Sequence, residues 1–386
     1  MPTIELEKRV KMIEESPLYR RPLAFGLGLR RSRKGKTLDV LFPHLNFQEN
    51  FTSAALLSDI LAKDLHYKNG YVPVDLCALN DVWDCFEHLH HEVEKHPNVA
   101  LIKTLIQNPR SISSYHDQDL IAFFMYSHEA IASTEEAFFK LQLLSQRKTK
   151  PHTLNLDGLF GKLHNLAWTT QGPFFPEEVA AVCLEARLKA EPFHVSHVDK
   201  FPYILDYHVP TGVRIASGSQ VRLGAYLGEG STVMQAGFVN FNAGTEGNAM
   251  IEGRVSAGVV VGNNSDVGGG ASIMGTLSGG NNLVISIGDQ CLLGANSGTG
   301  ISLGFGCTIA AGLYIYAGLK VSLYDDQNRP INADGNLVAE GENIVKAKVL
   351  SGRDHMLFLQ DSVSGRIVCK PNLKTIKLNP ELHKNG

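Results

Sequence analysis

The sequence predicts a mainly β fold built on a left-handed parallel β-helix of hexapeptide repeats, and three observations within residues 211–321 support this. Aliphatic residues recur there every six positions in three runs, with a four-residue step from Ile251 to Val255. The segment also holds 25 of the 37 glycines and contains none of the 16 prolines. A period of six fits neither an α-helix nor a single amphipathic strand. It is the period of a coil in which each unit forms one short strand and one turn.

The repeat is regular enough to assign the side chains that face the inside of the coil. Three units close one triangular coil, so an inward side chain stacks on its counterpart about 18 residues further on. Glycine and asparagine tolerate positive φ at the corners, and proline would remove N–H donors from the ladders. The predicted inward positions are Ile215, Val221, Leu227, Val233, Val239, Thr245, Ile251, Val255, Val261, Val267, Ile273, Ile287, Leu293, Leu303, Ile309, Ile315 and Val321.

The coil is the third of four predicted segments. Residues 1–150 are predicted to form an N-terminal α/β domain, in which a hairpin surrounds the basic turn SRKGK and helices follow. Residues 151–211 are predicted to form a helical connector, with Pro176 near the first turn of its helix. The β-helix occupies residues 212–322, and residues 323–386 form a polar loop and a small C-terminal β region.

Composition excludes several classes of partner. The net charge is −3, so no excess of basic residues favours nucleic acid or a membrane surface, and the basic turn RRSRKGK is interpreted as an exposed turn. No apolar run reaches the ~18 residues that span a bilayer, and the N-terminus lacks a signal-peptide pattern. The six cysteines are scattered without a CxxC motif, which favours reduced thiols and a cytoplasmic location.

A histidine-rich stretch, CFEHLHHEVEKH at 85–96, suggests a metalloprotease motif and does not satisfy it. His91 and Glu92 open the pattern HExxH, but the fifth position is Lys95, and His96 lies one step out of register. We interpret the stretch as a solvated helix.

The predicted coil contains few candidates for acid–base chemistry. Coils of this kind most often belong to acyltransferases, many of which use a histidine as general base, yet residues 211–321 contain no histidine. A base on the coil must therefore be one of five carboxylates. Three of them are interpreted as corner residues: Glu229, Asp266 and Asp289. The other two, Glu246 and Glu252, lie beside an interruption of the repeat.

Glu252 is the preferred candidate for the base. It is followed two positions later by Arg254, in a tract with nine charged side chains in 111 residues. Residues two positions apart lie on the same side of a strand, so we expect Glu252 and Arg254 to share one pocket. Two alternatives stay open from the residues alone, namely a structural ion pair between Glu252 and Arg254, and Glu246 as the base.

Several stretches resemble one enzyme family in order and spacing. They include FPYILDYHVPTGVRIA, GFVNFNAGT, MIEGRVSAGVVVG, SDVGGGASIMGTLSGG, LLGANSGTGISLG and AGLYIYAG. Together they resemble the tetrahydrodipicolinate N-succinyltransferase family from about Leu154 to Leu323, whereas residues 1–150 match only loosely. The resemblance implies transfer of succinyl from succinyl-CoA, a co-substrate, to the amino group of 2-amino-6-oxopimelate on the succinylase route to diaminopimelate and lysine.

The resemblance also implies roles for individual residues. Glu252 matches the catalytic glutamate, as a general base or as a nucleophile that forms an acyl-anhydride. The positions that match the family's CoA groove are Arg254, Gly269, Ser272, Ala295, Ala310, Ala311, Gly318, Lys346, Leu359, Gln360, Asp361 and Ser362.

The family further implies a homotrimer with sites between subunits. Some relatives place acidic magnesium ligands on the trimer axis, but Ser219 and Ala236 stand at those positions, so we expect no metal. Two other functions are considered: another CoA-dependent hexapeptide acyltransferase, with an acetyl donor or a sugar or serine acceptor, and a non-catalytic β-helical scaffold.

Overall fold

The structure, a computed structural model, describes residues 3–62, 65–89, 97–108, 115–277 and 283–373. It divides into two compact units, Met1–Thr149 with Thr153–Pro202 and Lys150–His152 with Tyr203–Gly386. Each unit has its own hydrophobic core. Within the described ranges, no helix is both long enough and apolar enough to cross a membrane.

The first unit is an α/β domain whose main sheet has four antiparallel strands in the order β2-β1-β4-β3. The predicted hairpin around the basic turn is confirmed, since β1 pairs with β2. The helices are α1 Thr3–Glu14, α2 Phe51–Leu61, α3 Leu76–Phe86, α4 Pro97–Gln107, α5 Thr134–Ser145, α6 Leu159–Lys162 and α7 Val179–Leu188. The strands are β1 Ala24–Arg33, β2 Lys36–Phe47, β3 Gly70–Pro73, β4 Asp117–Met125, β5 Leu166–Thr169, β6 Gly172–Phe174 and β7 Val195–Asp199.

The cations of the basic turn are held by carboxylates. Arg31 pairs with Asp39 at 2.5 Å, and Glu178 accepts from both Arg33 at 3.1 Å and Lys34 at 2.8 Å. Asp39 is buried, so its charge requires this partner. The charges of Arg31, Arg33 and Lys34 are therefore paired with carboxylates of the same domain.

The predicted helical connector contains more strand than the sequence suggested. It carries α7, but also a three-stranded antiparallel sheet in the order β6-β5-β7. The reason is a tight turn after Thr169, whose hydroxyl donates to the Gly172 carbonyl at 2.7 Å, while Gly172 adopts φ +100°. Only glycine takes up that conformation readily, so the chain reverses into β6. Of the stretch 85–96, the residues from His90 onward lie outside the described residues.

The second unit is the predicted parallel β-helix, with three faces that follow one another along each coil. The first face carries β8 Arg214–Ile215, β10 Thr232–Val233, β13 Met250–Ile251, β16 Asp266–Val267, β19 Leu292–Leu293 and β21 Thr308–Ile309. The second carries β11 Phe238–Val239, β14 Arg254–Val255, β17 Ser272–Ile273, β20 Gly298–Thr299 and β22 Tyr314–Ile315. The third carries β9 Tyr226–Leu227, β12 Gly244–Thr245, β15 Val260–Val261 and β18 Ser286–Ile287.

The predicted inward residues form the core of the coil, and all but half-buried Ile215 are buried. The expected spacing of 18 holds for the first coils, as between Val233 and Ile251. It falls to 16 between Ile251 and Val267, because only two residues separate β13 from β14. It rises to 26 between Val267 and Leu293, because the chain leaves the coil after Gly275 and returns at Ile285.

The C-terminal strands complete the coil. They are β23 Lys320–Leu323, β24 Ile344–Lys346, β25 Met356–Gln360 and β26 Ile367–Pro371. β25 continues the first face, in parallel register with β21, and Phe358 lies opposite Ile309. β24 and β26 pair beside β23, so a small β region covers this end of the coil.

Candidate active site

Most of the predicted groove residues line one corner of the coil. The corner that leads from the first face to the second, called here the Glu252 corner, contains Glu252, Gly269, Ala295 and Ala311. Backbone hydrogen bonds stack its turns: Gly270 N–H donates to the Glu252 carbonyl at 3.1 Å, and the two turns above repeat the contact at 2.8 and 2.9 Å. The structure therefore brings together residues that the sequence separates by up to 59 positions.

The glycines of this corner differ in the space that surrounds them. A Cβ at Gly268 would lie 2.7 Å from the Leu293 carbonyl oxygen, and one at Gly294 would lie 2.5 Å from the Ala311 nitrogen. Both positions are therefore needed for close packing of coils. A Cβ at Gly269 would meet only the Glu252 Oε2, at 3.5 Å. Gly269 is thus open on the side where the glutamate lies.

The C-terminal groove residues extend the same corner. Ala310 N–H donates to the Phe358 carbonyl at 2.9 Å, so Leu359 and Gln360 follow the first face beyond Ala310, whereas Asp361 and Ser362 lie in the hairpin between β25 and β26. Adjacent coils lie about 4.8 Å apart, so the four steps from Glu252 to Gln360 span about 19 Å. Hydrogen bonds from the Ser364 hydroxyl and from the Val363 and Ser364 N–H groups lower the pKa of Asp361. The row is long enough for an extended thioester substrate.

Arg254 lies around the corner from Glu252, which corrects the expectation that both share one side of a strand. Glu252 follows β13 on the first face, whereas Arg254 begins β14 on the second. The Arg254 Nη2 donates to Ser272 Oγ at 2.7 Å, its partner in register on the next coil. Among the described residues no ion pair joins Glu252 to Arg254. The carboxylate belongs to the corner after the first face, and the guanidinium belongs to the second face.

Tyr314 is a further outward residue on the second face that sequence reasoning missed. Its ring covers Gly298, where a Cβ would lie 2.2 Å from the ring. Gly298 follows Ser272 in the same ladder, so Tyr314 ends the outward row that runs through Arg254 and Ser272. The signal was present in the repeat, because the residue before an inward position points outwards.

The structure places Asp266 on the first face and not at a corner, which corrects its assignment as a turn residue. Asp266 begins β16 opposite Met250 and Leu292, and its side chain points outwards because Val267 faces the core. Its Oδ1 is buried without a hydrogen-bond partner among the described residues. Burial, and then the charge of Glu252, raise the pKa of Asp266 to about 6.

The other carboxylates lie elsewhere. Glu246 follows β12 at a different corner, where it pairs with Lys150 at 2.9 Å and raises the pKa of that lysine. Glu229 and Asp289 occupy turns, as expected. Glu246 is therefore engaged away from the groove, and Glu252 is the carboxylate of the Glu252 corner.

Gly318 and Lys346 lie together, one corner away. Gly318 belongs to the turn after β22, and the neighbouring strand pairs Lys320 with Lys346. Ala347 and Lys348 N–H groups donate to carbonyls on both sides of Gly318, at 2.8 and 3.0 Å. The second face, with Arg254, separates these two residues from the Glu252 corner.

Three family models match the chain. The model described as tetrahydrodipicolinate N-succinyltransferase N-terminal matches residues 5–161, and the middle model matches residues 163–203. The model described as hexapeptide repeat of succinyl-transferase matches residues 284–317. The match over 5–161 corrects the expectation that the N-terminal part resembles the family only loosely.

Individual relatives of the chain are also named as N-succinyltransferases. A 2,3,4,5-tetrahydropyridine-2,6-dicarboxylate N-succinyltransferase of Vibrio cholerae is 44% identical over 365 residues, which cover 94% of the chain and 99% of the relative. One from Pseudomonas aeruginosa is 54% identical over 267 residues, covering 69% and 74%. A crystal structure of a putative 2,3,4,5-tetrahydropyridine-2-carboxylate N-succinyltransferase from Campylobacter jejuni superimposes with a TM-score of 0.86 at 33% identity, covering 98% and 99%.

Proposed function

The chain belongs to the tetrahydrodipicolinate N-succinyltransferase family, and we propose that it carries out the family's reaction at the Glu252 corner. It is an acyltransferase that moves succinyl from succinyl-CoA to the amino group of tetrahydrodipicolinate in its open form, 2-amino-6-oxopimelate. The products are N-succinyl-2-amino-6-oxopimelate and CoA, on the succinylase route to diaminopimelate and lysine. The observation that supports this site is the row of small residues Gly269, Ala295 and Ala311, which ends at the Glu252 carboxylate.

Glu252 is proposed as the general base. The amine must lose a proton as it attacks the thioester carbonyl, and a carboxylate within hydrogen-bond reach can accept it. The new bond joins nitrogen to the acyl carbon, the carbon–sulfur bond breaks, and the thiolate of CoA takes up a proton. The coil provides no histidine for this task within residues 211–321.

The row above Glu252 is proposed to hold CoA. Gly269, Ala295, Ala310 and Ala311 leave room for the pantetheine arm along the backbone, and Leu359–Ser362 extend the path. Arg254 supplies a positive charge at the edge of the row, with Ser272 holding its guanidinium. Gly318 and Lys346, across the second face, are proposed to meet CoA bound in the groove of a neighbouring subunit.

Assembly and environment follow from the same family. We propose a left-handed coil and a homotrimer with sites between subunits, since one face of a three-sided coil is free to pack around a three-fold axis. We also propose a cytoplasmic enzyme, because all six cysteines are free thiols. No metal is proposed, since neither Ser219 nor Ala236 supplies a carboxylate.

The test is Glu252→Gln, with Glu246→Gln as the matched control. The amide keeps the shape of the side chain but cannot take a proton, so kcat should fall by at least ~100-fold with KM for succinyl-CoA little changed. Glu246→Gln should keep its kcat. Near-normal turnover of Glu252→Gln would refute the assignment of the base.

A second measurement separates a base from a nucleophile at Glu252. Wild-type enzyme mixed with succinyl-CoA alone should release no burst of free thiol, because a base acts only when the amine is present. One equivalent of thiol per site in the absence of acceptor would instead identify the acyl-anhydride route.

A further inference from the structure

A second carboxylate lies beside the proposed base. Asp266 is opposite Met250, and Glu252 follows Met250 by two residues, so the two acidic residues are diagonal neighbours on adjacent coils. Such neighbours lie about 7 Å apart and are within reach of long side chains. Both side chains point out of the coil, because Ile251 and Val267 fill its core.

Among the described residues, the coil of Asp266 presents glycines at the positions next to Glu252. Gly268 and Gly269 occupy the intervening positions, and the Glu252 Oε2 lies 3.5 Å from the place of a Cβ on Gly269. The glutamate therefore extends onto the coil that carries Asp266. A larger residue at Gly268 would collide with backbone, so this opening is built into the packing of the coil.

Few other charges act on this pair. Arg254 donates to Ser272 on the second face. Arg214, on the first face two coils before Glu252 and three before Asp266, donates to the Met234 sulfur at 3.5 Å. On the next coil, the Cys291 carbonyl accepts from Asp266 N–H at 2.8 Å, and the pKa of the buried Cys291 thiol is raised by its contact with Cys307 and by burial. The Asp266 Oδ1 has no hydrogen-bond partner among the described residues, so the carboxylate destabilises the folded state when ionised.

We propose that Asp266 is the second carboxylate of the acyl-transfer site and works with Glu252 as a coupled pair in taking protons from the attacking amine. This inference rests on the proposed function of Glu252. An ammonium nitrogen that becomes an amide loses two protons, of which the departing thiolate sulfur takes one and water finally takes the other. Two neighbouring carboxyl groups can hold both in turn, and their titrations are coupled.

Asp266 acts through Glu252 and is therefore a positioning residue, and its test is the pH dependence of kcat/KM. In Asp266→Asn the acidic limb should move to lower pH, because removal of a neighbouring negative charge makes proton uptake by the remaining carboxylate less favourable. A unit charge about 7 Å away gives a shift of about 0.4 to 1.7 pH units between the dielectric of water and that near a protein surface. The plateau should fall by less than about tenfold. Glu229→Gln, which removes an exposed carboxylate from a turn of an earlier coil, should leave the profile unchanged.

Thermal unfolding gives an independent readout. The pKa of Asp266 is raised on folding, so the stability it contributes is full below its ordinary value and is lost as pH rises through about 6. Asp266→Asn should therefore melt at a higher temperature than wild type at pH 8 and at the same temperature near pH 4. This comparison requires the assembled enzyme at equal concentration.

Each outcome has a distinct meaning. Superimposable acidic limbs for wild type and Asp266→Asn would overturn the coupled pair. A variant that melts lower at pH 8 and loses its oligomeric state would also overturn it, since Asp266 would then be an interface residue. If Glu252→Gln remains active, the proposed base itself is wrong, whatever Asp266→Asn shows.

Discussion

Replacing Gly269 with alanine is expected to impair binding of succinyl-CoA while leaving the coil intact. A Cβ at this position would meet only the Glu252 Oε2, at 3.5 Å, which is an ordinary contact, and Gly269 does not adopt positive φ. Folding should therefore tolerate the methyl group, with a gain of about 0.4 to 1 kcal/mol from a less flexible unfolded chain. In the groove the same methyl group occupies space that the pantetheine arm is proposed to use.

The size of the effect follows from the cost of an extra methyl group in a close-packed contact, about 1 to 3 kcal/mol. The KM for succinyl-CoA should rise by about 5- to 150-fold, since 1.4 kcal/mol is a factor of ten. Initial rates of thiol release at varied succinyl-CoA measure this change, and thermal unfolding measures the stability.

Gly268→Ala is the matched control. A Cβ there would lie 2.7 Å from the Leu293 carbonyl oxygen and 2.9 Å from the Ala295 nitrogen, so backbone must move. The expected loss is about 1 to 3 kcal/mol of stability, or about 2 to 4 °C of Tm for each kcal/mol. The reasoning fails if Gly269→Ala leaves KM unchanged, or if it lowers Tm as much as Gly268→Ala does.

Three further outcomes are expected. Arg254→Ala should raise the KM for succinyl-CoA by about 10- to 150-fold with kcat nearly unchanged, because a charged hydrogen bond contributes about 1.5 to 3 kcal/mol. Steady-state kinetics measure both constants, and a loss of kcat alone would contradict this prediction. Sedimentation should show an active trimer, and an active monomer would argue against shared sites. Activity should survive dialysis against EDTA, since Ser219 and Ala236 offer no carboxylate, and a loss reversed by added magnesium would disprove the metal-free mechanism.

The coil could be predicted from the sequence because each unit repeats one local rule. An aliphatic side chain at every sixth position fills the core, and the structure buries even Thr245, which takes one of those places. The Thr245 hydroxyl forms a hydrogen bond with the Ser231 hydroxyl inside the coil, at 2.5 Å. These residues are 14 positions apart, so no local sequence pattern predicts the contact. The pairing of β25 with β21 could not be predicted from the repeat either, because a long segment outside the repeat separates the two strands in sequence.

The candidate site was predictable only in part. The groove residues were assigned from family resemblance, and the structure shows most of them in one row. The relation of Glu252 to Arg254 was predicted wrongly, because the sequence was treated as one strand where the chain turns at Gly253. A Cβ at Gly253 would lie 2.3 Å from the Ala271 carbonyl oxygen, so the bend depends on a contact with the next coil. The sequence also predicts Asp266 in the turn with residues 263–265, whereas β16 begins at Asp266, because its N–H bonds to the Cys291 carbonyl of the next coil.

The shortened turn at Glu252 explains why a carboxylate can act there. Along the Glu252 corner the turns that join the first face to the second contain four residues, as in 234–237, 268–271, 294–297 and 310–313, but only two between Ile251 and Arg254. Two residues of the ordinary turn are therefore missing at this coil. Glu252 is one of the two that remain, and its Oε2 lies 3.5 Å from the place of a Cβ on Gly269. The same irregularity that breaks the period of six thus places Glu252 beside Gly269, at the end of the row along which an extended thioester is proposed to lie.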